Sequence, residues 1–310
     1  RLYISQPSLT NAIHELEKEM GINIFNRSNK GISPSIEGEV FLGYARQVLE
    51  QAKVLEDKYK GDDGGKKSFC VSTQHYSFAV NAFVDLIKRY GQDEYDFSIR
   101  ETQTYEIIDD VARMRSEIGI LFMNDFNEKV LNKILRANDL EFHELFVAKP
   151  HVFISRKHPL AKNDIITNEE LEAYPYLSFE QGEHNSFYFS EEIFSTTERK
   201  KNIRVRDRAT LFNLLIGLNG YTVCSGVIDE KLNGKDIISV PLADESDMRI
   251  GYIVHRKAIL SRLGNTYLGA LANYLTAGSD EPEDSVKIPQ RKLQHRGRFN
   301  EMRADGEPAC

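Results

Sequence analysis

"SQPSLTNAIHELEKEMGINIFNRSNKGISPSIEG", Ser5 to Gly38, opens with a helix that carries its own start and stop signals. Ser5 suits the N-cap position, where a hydroxyl accepts a free backbone N–H of the first turn. Pro7 falls in that turn, where its missing N–H is not needed. Leu9, Ile13, Leu16 and Met20 recur every three or four residues and form one apolar stripe. Gly21 ends the helix as a left-handed C′ residue. The other face presents Gln6, Ser8, Thr10, Asn11 and His14, short polar groups suited to phosphate and base-edge contacts. Ile22, Ile24 and Phe25 then precede a turn at Ser28-Asn29-Lys30-Gly31, the pattern of strand, tight turn and strand that makes a wing.

Beyond the wing, Phe41, Ala45, Val48, Ala52, Leu55 and Tyr59 alternate spacings of four and three. That is a heptad seam on a helix uninterrupted by Gly or Pro between Tyr44 and Lys60, and it predicts pairing with a second copy. "GDDGGKK" at 61–67 breaks the helix as a Gly-rich, charged hinge.

From Ser68 the chain alternates strands and helices. "SFCVST", "FAVNAFVDLIKRYG", "YDFSIRET", "YEIIDDVARMRS" and "EIGILF" read as β-α-β-α-β, hence a parallel sheet with right-handed crossovers. "YPYLSFE", "KNIRVRD", "ATLFNLLIGLNG", "YTVCSG", "DIISVPL", "RIGYIVHRK" and "NTYLGALANYL" give a second set, predicting two small α/β lobes joined by two crossing strands. Residues 278–310 carry an acidic run, then a basic one, with little apolar periodicity, and read as a disordered tail.

The chain has 310 residues, 41% hydrophobic and 28% charged, with a net charge of -7, so any nucleic-acid contact must be local. No run of apolar residues is long enough to cross a membrane, and no signal-peptide pattern opens the sequence. Cys70, Cys224 and Cys310 lie far apart and make no CxxC pair, which fits a reducing cytoplasm and argues against a disulfide framework or zinc site.

The "SQPSLT" helix start, "LEKEMGINIFNR" and the "GISPSIEG" turn into the next helix together resemble the LysR-type transcriptional regulators, and the resemblance runs to about Leu275. It implies an α/β chain with a partial winged helix-turn-helix at 1–36 and a linker and dimerisation helix at 37–60. A hinge at 61–67 would lead to a two-lobed, periplasmic-binding-protein-like sensor domain. Lobe I would comprise 67–149 and 250–277 and lobe II 150–249, with "ISRKHPLA" matching a family segment early in lobe II. In that family the first helix and most of the second precede Arg1, so the resemblance implies a chain that starts inside the DNA-binding domain and binds DNA weakly. Residues 1–36 carry four cations, Arg1, Lys18, Arg27 and Lys30, against three anions, Glu15, Glu17 and Glu19. The implied partners are operator DNA, a small-molecule effector, and further copies of the chain as homodimer or homotetramer. Gln6, Pro7, Ser8, Thr10 and Asn11 would face the DNA and Arg27 a phosphate.

Signals for catalysis are sparse. The serines at 72, 77, 186 and 225 lie in no G-x-S-x-G elbow, the histidines show no metal-ligand spacing, and no G-x-x-x-x-G-K-[ST] loop is present. The expectation is no enzyme, no metal and no cofactor. For effector binding three loops stand out: "STQHYS" after the first strand, "ETQT" at 101–104 after the second, and "RDRAT" at 206–210 before a lobe II helix. Each joins the carboxyl end of a strand to a helix N-terminus, where open α/β sheets bind ligands. Thr73, Gln74, Thr102, Asp207 and Thr210 are the candidates. The alternative reading is a solute-binding protein or enzyme on the same two-lobed fold, with the N-terminal helices as dimer scaffold.

Overall fold

The computed structural model describes residues 4–28, 31–60, 67–90, 94–228 and 234–276. The expected 61–67 hinge (except Lys67), the 278–310 tail and Cys310 lie outside them.

Helix α1 (Gln6–Met20) is capped as its sequence dictates. Ser5 Oγ accepts the Ser8 amide at 3.3 Å, and Gly21 at φ 68° donates to the Glu17 carbonyl. Strands β1 (Phe25–Ser28) and β2 (Gly31–Pro34) pair antiparallel as the wing. Glu17 Oε1 accepts the amides of Ile24 at 2.8 Å and Phe25 at 3.1 Å, which fixes the wing to the helix. Helix α2 (Ile36–Lys60) starts where Ser35 Oγ accepts the Gly38 amide at 2.8 Å. Gly38 is required there, because an added Cβ would fall 1.9 Å from the Ile24 carbonyl oxygen. No residue of α1 is buried, and Val48 and Leu55 on the α2 seam are 67% and 59% exposed. The Tyr59 side chain lies outside the described set.

Lobe I is a five-stranded sheet in the order β4 (Tyr95–Glu101), β3 (Lys67–Thr73), β5 (Ile118–Met123), β12 (Met248–His255) and β6 (Leu140–Ala148). The first three are parallel, as the β-α-β-α-β pattern requires, and β12 runs antiparallel to both of its neighbours. Helices α3 (Ser77–Tyr90) and α8 (Arg262–Thr276) pack together, with Phe78, Leu86, Tyr267 and Leu271 buried in the main core. Helices α4 (Thr104–Ala112) and α5 (Glu128–Ala137) bury Ile107, Val111, Leu131 and Leu135 in a second cluster. The sequence reading missed α5, although Val130, Leu131, Ile134 and Leu135 have helical spacing.

Lobe II holds β7 (His151–Ser155) between β10 (Thr222–Cys224) and β11 (Ile237–Pro241), all antiparallel, beside the parallel pair β8 (Tyr176–Phe179) and β9 (Asn202–Val205). Helix α6 (Asn168–Leu171) precedes β8, and α7 (Arg208–Leu218) packs on β7, β8, β9 and β11. The chain passes between lobes at 149–150 and 242–247. Lys149 ties the two passages together through Asp247 at 3.0 Å and Glu245 at 3.4 Å.

Candidate functional site: the interlobe cleft

The lobes meet where the carboxyl ends of β3 and β4 face the β8–β9 edge, and the contact is polar at its centre. His75 follows β3, and its side chain is only 4% exposed. Its Nδ1 lies 2.8 and 3.0 Å from the two carboxylate oxygens of Glu191, and its backbone amide donates to Glu191 at 2.9 Å. Its Nε2 lies 3.1 Å from the Arg206 carbonyl oxygen, and the ring stacks on Phe179 at 3.8 Å and 3°. Thr104 makes a second bridge: its amide donates to Gln181 Oε1 at 3.0 Å and its hydroxyl to the Phe189 carbonyl at 2.7 Å.

Apolar contacts reinforce these bridges. Phe189, from the lobe II chain, enters the lobe I cluster of Ile107, Ile108 and Leu131 and is 8% exposed. Tyr105 stacks on His184 at 3.6 Å and Phe126 on Tyr188 at 4.8 Å, each pair crossing the cleft. Gly182, at φ 56°, lets the backbone pass Gln103, where a Cβ would meet the amide oxygen at 2.5 Å. The lobes are therefore in a closed arrangement.

Two cavities flank this contact. One, of about 550 Å³, is lined by His75, Glu101, Thr102, Glu106, Glu180, Glu183 and Arg206 among others. The other, of about 460 Å³ on the side of the interlobe passages, is lined by Phe126, Asn127, Phe187, Glu192, Asp247 and Arg249 among others. Acidic side chains outnumber basic ones in both.

The electrostatics follow from burial. Desolvation opposes a charge on His75, but Glu191 outweighs it, with smaller help from Glu101 and the Arg206 carbonyl, and the His75 pKa stands above its ordinary value. Glu192 is pushed up to about 8, first by burial and then by the neighbouring Glu191 charge. It is therefore mostly a neutral acid at pH 7, and its Oε1 accepts the Phe179 amide at 2.7 Å. Burial also raises Glu101, against the pull of Arg208 at 3.0 Å.

The five residues singled out from the sequence divide into three groups. Thr73 and Gln74 are fully buried inside lobe I. Thr73 Oγ1 donates to the Gln74 carbonyl at 2.8 Å. Gln74 donates to Thr104 at 2.6 Å and accepts the Phe122 amide at 2.9 Å. They position the loop, and neither borders the two interlobe cavities. Thr102 does line the larger cavity, with its hydroxyl on Glu106. Asp207 and Thr210 are exposed and form the cap of α7: Asp207 accepts the Thr210 amide at 2.8 Å and hydroxyl at 2.7 Å. They line neither interlobe cavity. The sequence reading passed over Thr104, Gln181, Phe189 and Glu191. His75 and Glu191 are 116 residues apart, and no local pattern joins them; the "EE" pair at 191–192 inside the aromatic run "SFYFSEEIF" was the available signal.

At the other end of the chain Gln6, Pro7, Ser8 and Asn11 are exposed along the start of α1, Thr10 is half-buried, and Arg27 is exposed on the wing. The family profile described as the bacterial regulatory helix-turn-helix protein, lysR family, matches residues 1–39. The profile of the LysR substrate binding domain matches residues 69–276. The chain belongs to the LysR family of transcriptional regulators.

This family is one of regulators, not of enzymes. Among LysR-family relatives, the HTH-type transcriptional regulator YnfL of Escherichia coli is 28% identical over 184 residues, 58% of this chain and 58% of that protein. YbhD of Escherichia coli is 23% identical over 297 residues, 94% of this chain and 90% of that protein. The chain spans less than three fifths of the length of several curated relatives it matches. Among solved structures, a full-length OxyR variant from Pseudomonas aeruginosa superposes with a TM-score of 0.61 at 18% identity, covering 87% of this chain and 89% of that one. An OxyR mutant from Corynebacterium glutamicum does so with a TM-score of 0.50 at 17% identity, covering 89% and 87%. These likenesses show the fold, two lobes behind a winged helix. Among the described residues no helix is long and apolar enough to cross a membrane, and no group of three or more His, Cys, Asp or Glu is placed to hold a metal ion. Burial pushes the Cys224 thiol well up, away from the reactive thiolate.

Proposed function

We propose that this chain is a DNA-binding transcriptional regulator whose interlobe cleft takes a small-molecule effector, and that it works in the cytoplasm as a dimer or tetramer. The observation that carries this reading is the pairing, in one chain, of a capped helix with an exposed polar N-terminal face and two lobes bridged by reversible polar contacts. Gln6, Pro7, Ser8, Thr10 and Asn11 read the major groove, and Arg27 neutralises a phosphate. Second copies pair through the exposed α2 seam. In the cleft, Thr102, His75 and the groups around Glu191 meet the effector, while Asp207 and Thr210 hold the α7 N-terminus beside it. A ligand that binds open and closed lobes with different affinity shifts their populations, and that difference is the whole source of a signal.

The test uses the full chain. A thermal-shift screen of small metabolites identifies binders, and calorimetry confirms each one. Its effect on affinity for operator DNA is then read by fluorescence anisotropy. A binder that changes DNA affinity at least several-fold supports the proposal. Cleft binders that leave DNA affinity unchanged overturn the regulatory part.

A further inference from the structure

Among the described residues, every polar partner of the His75 ring comes from lobe II, and each is an oxygen that can accept. The Glu191 carboxylate faces Nδ1 and the Arg206 carbonyl faces Nε2. A carbonyl cannot donate. The Glu191 oxygens also each accept another N–H, from the His75 backbone at 2.9 Å and from Gln181 Nε2 at 3.2 Å. With Glu191 ionised, Nδ1 donates to its carboxylate and Nε2 to the Arg206 carbonyl, so both ring nitrogens carry protons and the ring in the closed cleft is an imidazolium, the state its raised pKa favours.

Lobe II thus supplies a slot with three parts: a carboxylate, a carbonyl oxygen and the face of Phe179. Together they recognise a flat cation with two divergent N–H donors. Lobe I fills the slot with a side chain of its own. The other charged groups that act on the ring or line the cavity with it are Glu101, Glu192, Asp207 and Arg206. Arg208 is engaged by Glu101 at 3.0 Å and Arg206 by Glu180, so neither cation neutralises the slot. The cavity beside it continues the same chemistry. Glu106 and Glu183 on its wall have no cationic partner among the described residues, and Tyr105 stacked on His184 adds an aromatic face.

Resting on the reading of this cleft as the effector site, we propose that its ligand class is the small planar nitrogenous cation, with an imidazolium or guanidinium head, and that His75 occupies the ligand's place when it is absent. The ligand exchanges with His75 for Glu191, the Arg206 carbonyl and Phe179. A carboxylate ligand meets Glu191 instead and is repelled. An alkylammonium matches the charge but loses the stacking and the divergent pair of donors.

The experiment empties the slot. In His75→Ala, calorimetry with free imidazole at pH 6.0 gives saturable binding. The binding weakens at least tenfold at pH 8.5, where imidazole is mostly neutral, and is lost in the His75→Ala, Glu191→Gln double variant. Methylguanidinium binds at both pH values, and acetate and methylammonium bind at neither. Circular dichroism establishes that the variants fold. Should His75→Ala not fold, the wild-type chain is titrated with methylguanidinium, and saturable binding that Glu191→Gln abolishes is the expected result. Equal imidazole affinity at both pH values, no binding by a folded His75→Ala, or unchanged binding without Glu191 each overturns the inference. A carboxylate or neutral metabolite that binds the wild-type cleft and alters DNA affinity, while methylguanidinium does not bind, keeps the regulator and removes only this ligand class.

Discussion

Arg46, on the long helix α2, donates from Nη1 to the backbone carbonyl of Arg113 at 3.1 Å, 67 residues away at the C-terminal end of α4. Arg113 in turn pairs with Glu39 on α2 and with Asp109 at 2.6 Å. This is a direct polar link between the helix that follows the wing and the lobe that carries His75. All these groups are partly exposed, so the link contributes little to global stability, less than about 1 kcal/mol. Arg46→Ala is expected to leave the melting temperature within a few degrees of wild type while raising amide exchange over residues 36–46. Unchanged exchange there would show that the link does not hold α2 in place.

Stability should fall as pH rises across the neutral range. The His75 pKa is raised in the folded protein, so its contribution is complete below the ordinary histidine value and is lost as pH climbs through the raised one. Glu192 acts in the same direction, because the folded chain keeps its proton up to about 8 whereas the unfolded chain releases it near 4.5. Thermal unfolding from pH 7.0 to 8.5, above the range where the lowered His158 and His255 act in the opposite sense, should therefore show a declining melting temperature. Glu192→Gln keeps the acceptor for Phe179 and removes the buried charge, and should stabilise the protein at pH 8 by about 1–3 kcal/mol. A melting temperature that rises with pH in this range contradicts the assignment.

Phe189 anchors lobe II in the lobe I core. Phe189→Ala should cost about 2–4 kcal/mol, at the lower side of a core truncation because part of the ring sits at the cleft edge. The loss should appear with a larger solution radius by small-angle scattering as the lobes part. A large destabilisation without any opening would make Phe189 a core residue only.

The α2 seam leaves Val48 and Leu55 exposed, which a paired helix would cover. Replacing both by Glu places charges where pairing must desolvate them, and light scattering should report a shift toward monomer. An unchanged oligomer would move the interface elsewhere.

At the DNA end, Gln6→Ala and Asn11→Ala should each reduce discrimination between operator and random DNA by about 1–3 kcal/mol. Arg27→Ala should instead weaken both and lower the salt slope of binding by about one. Equal losses on both DNAs for all three variants would mean that α1 does not read bases.

Much of this was legible in the sequence because it is local. The Ser5 cap and the Gly21 stop act within a few residues, and each is where the pattern put it; Ser28 and Gly31 pair at the end of the wing. The parallel order of β3, β4 and β5 follows from alternating apolar runs whose crossovers permit few topologies. Helix α5 was missed, though its spacing was there to be read. The cleft was legible as a place, the ends of strands beside helix starts, and of the candidate residues only Thr102 lines it. Thr73 and Gln74 are polar residues in the right loop, yet folding turns them inward, Thr73 onto the Gln74 carbonyl and Gln74 onto Thr104 and the Phe122 amide. Asp207 and Thr210 satisfy each other as a cap. The residue that bridges the lobes, His75, gains its partner from Glu191 across a gap of 116 positions. Its charge depends on two acceptors and an aromatic face brought together by three different segments. Periodicity and caps are properties of a short stretch and are written in it. A buried imidazolium is a property of an assembled dielectric and its acceptors, and only the tertiary structure assembles them.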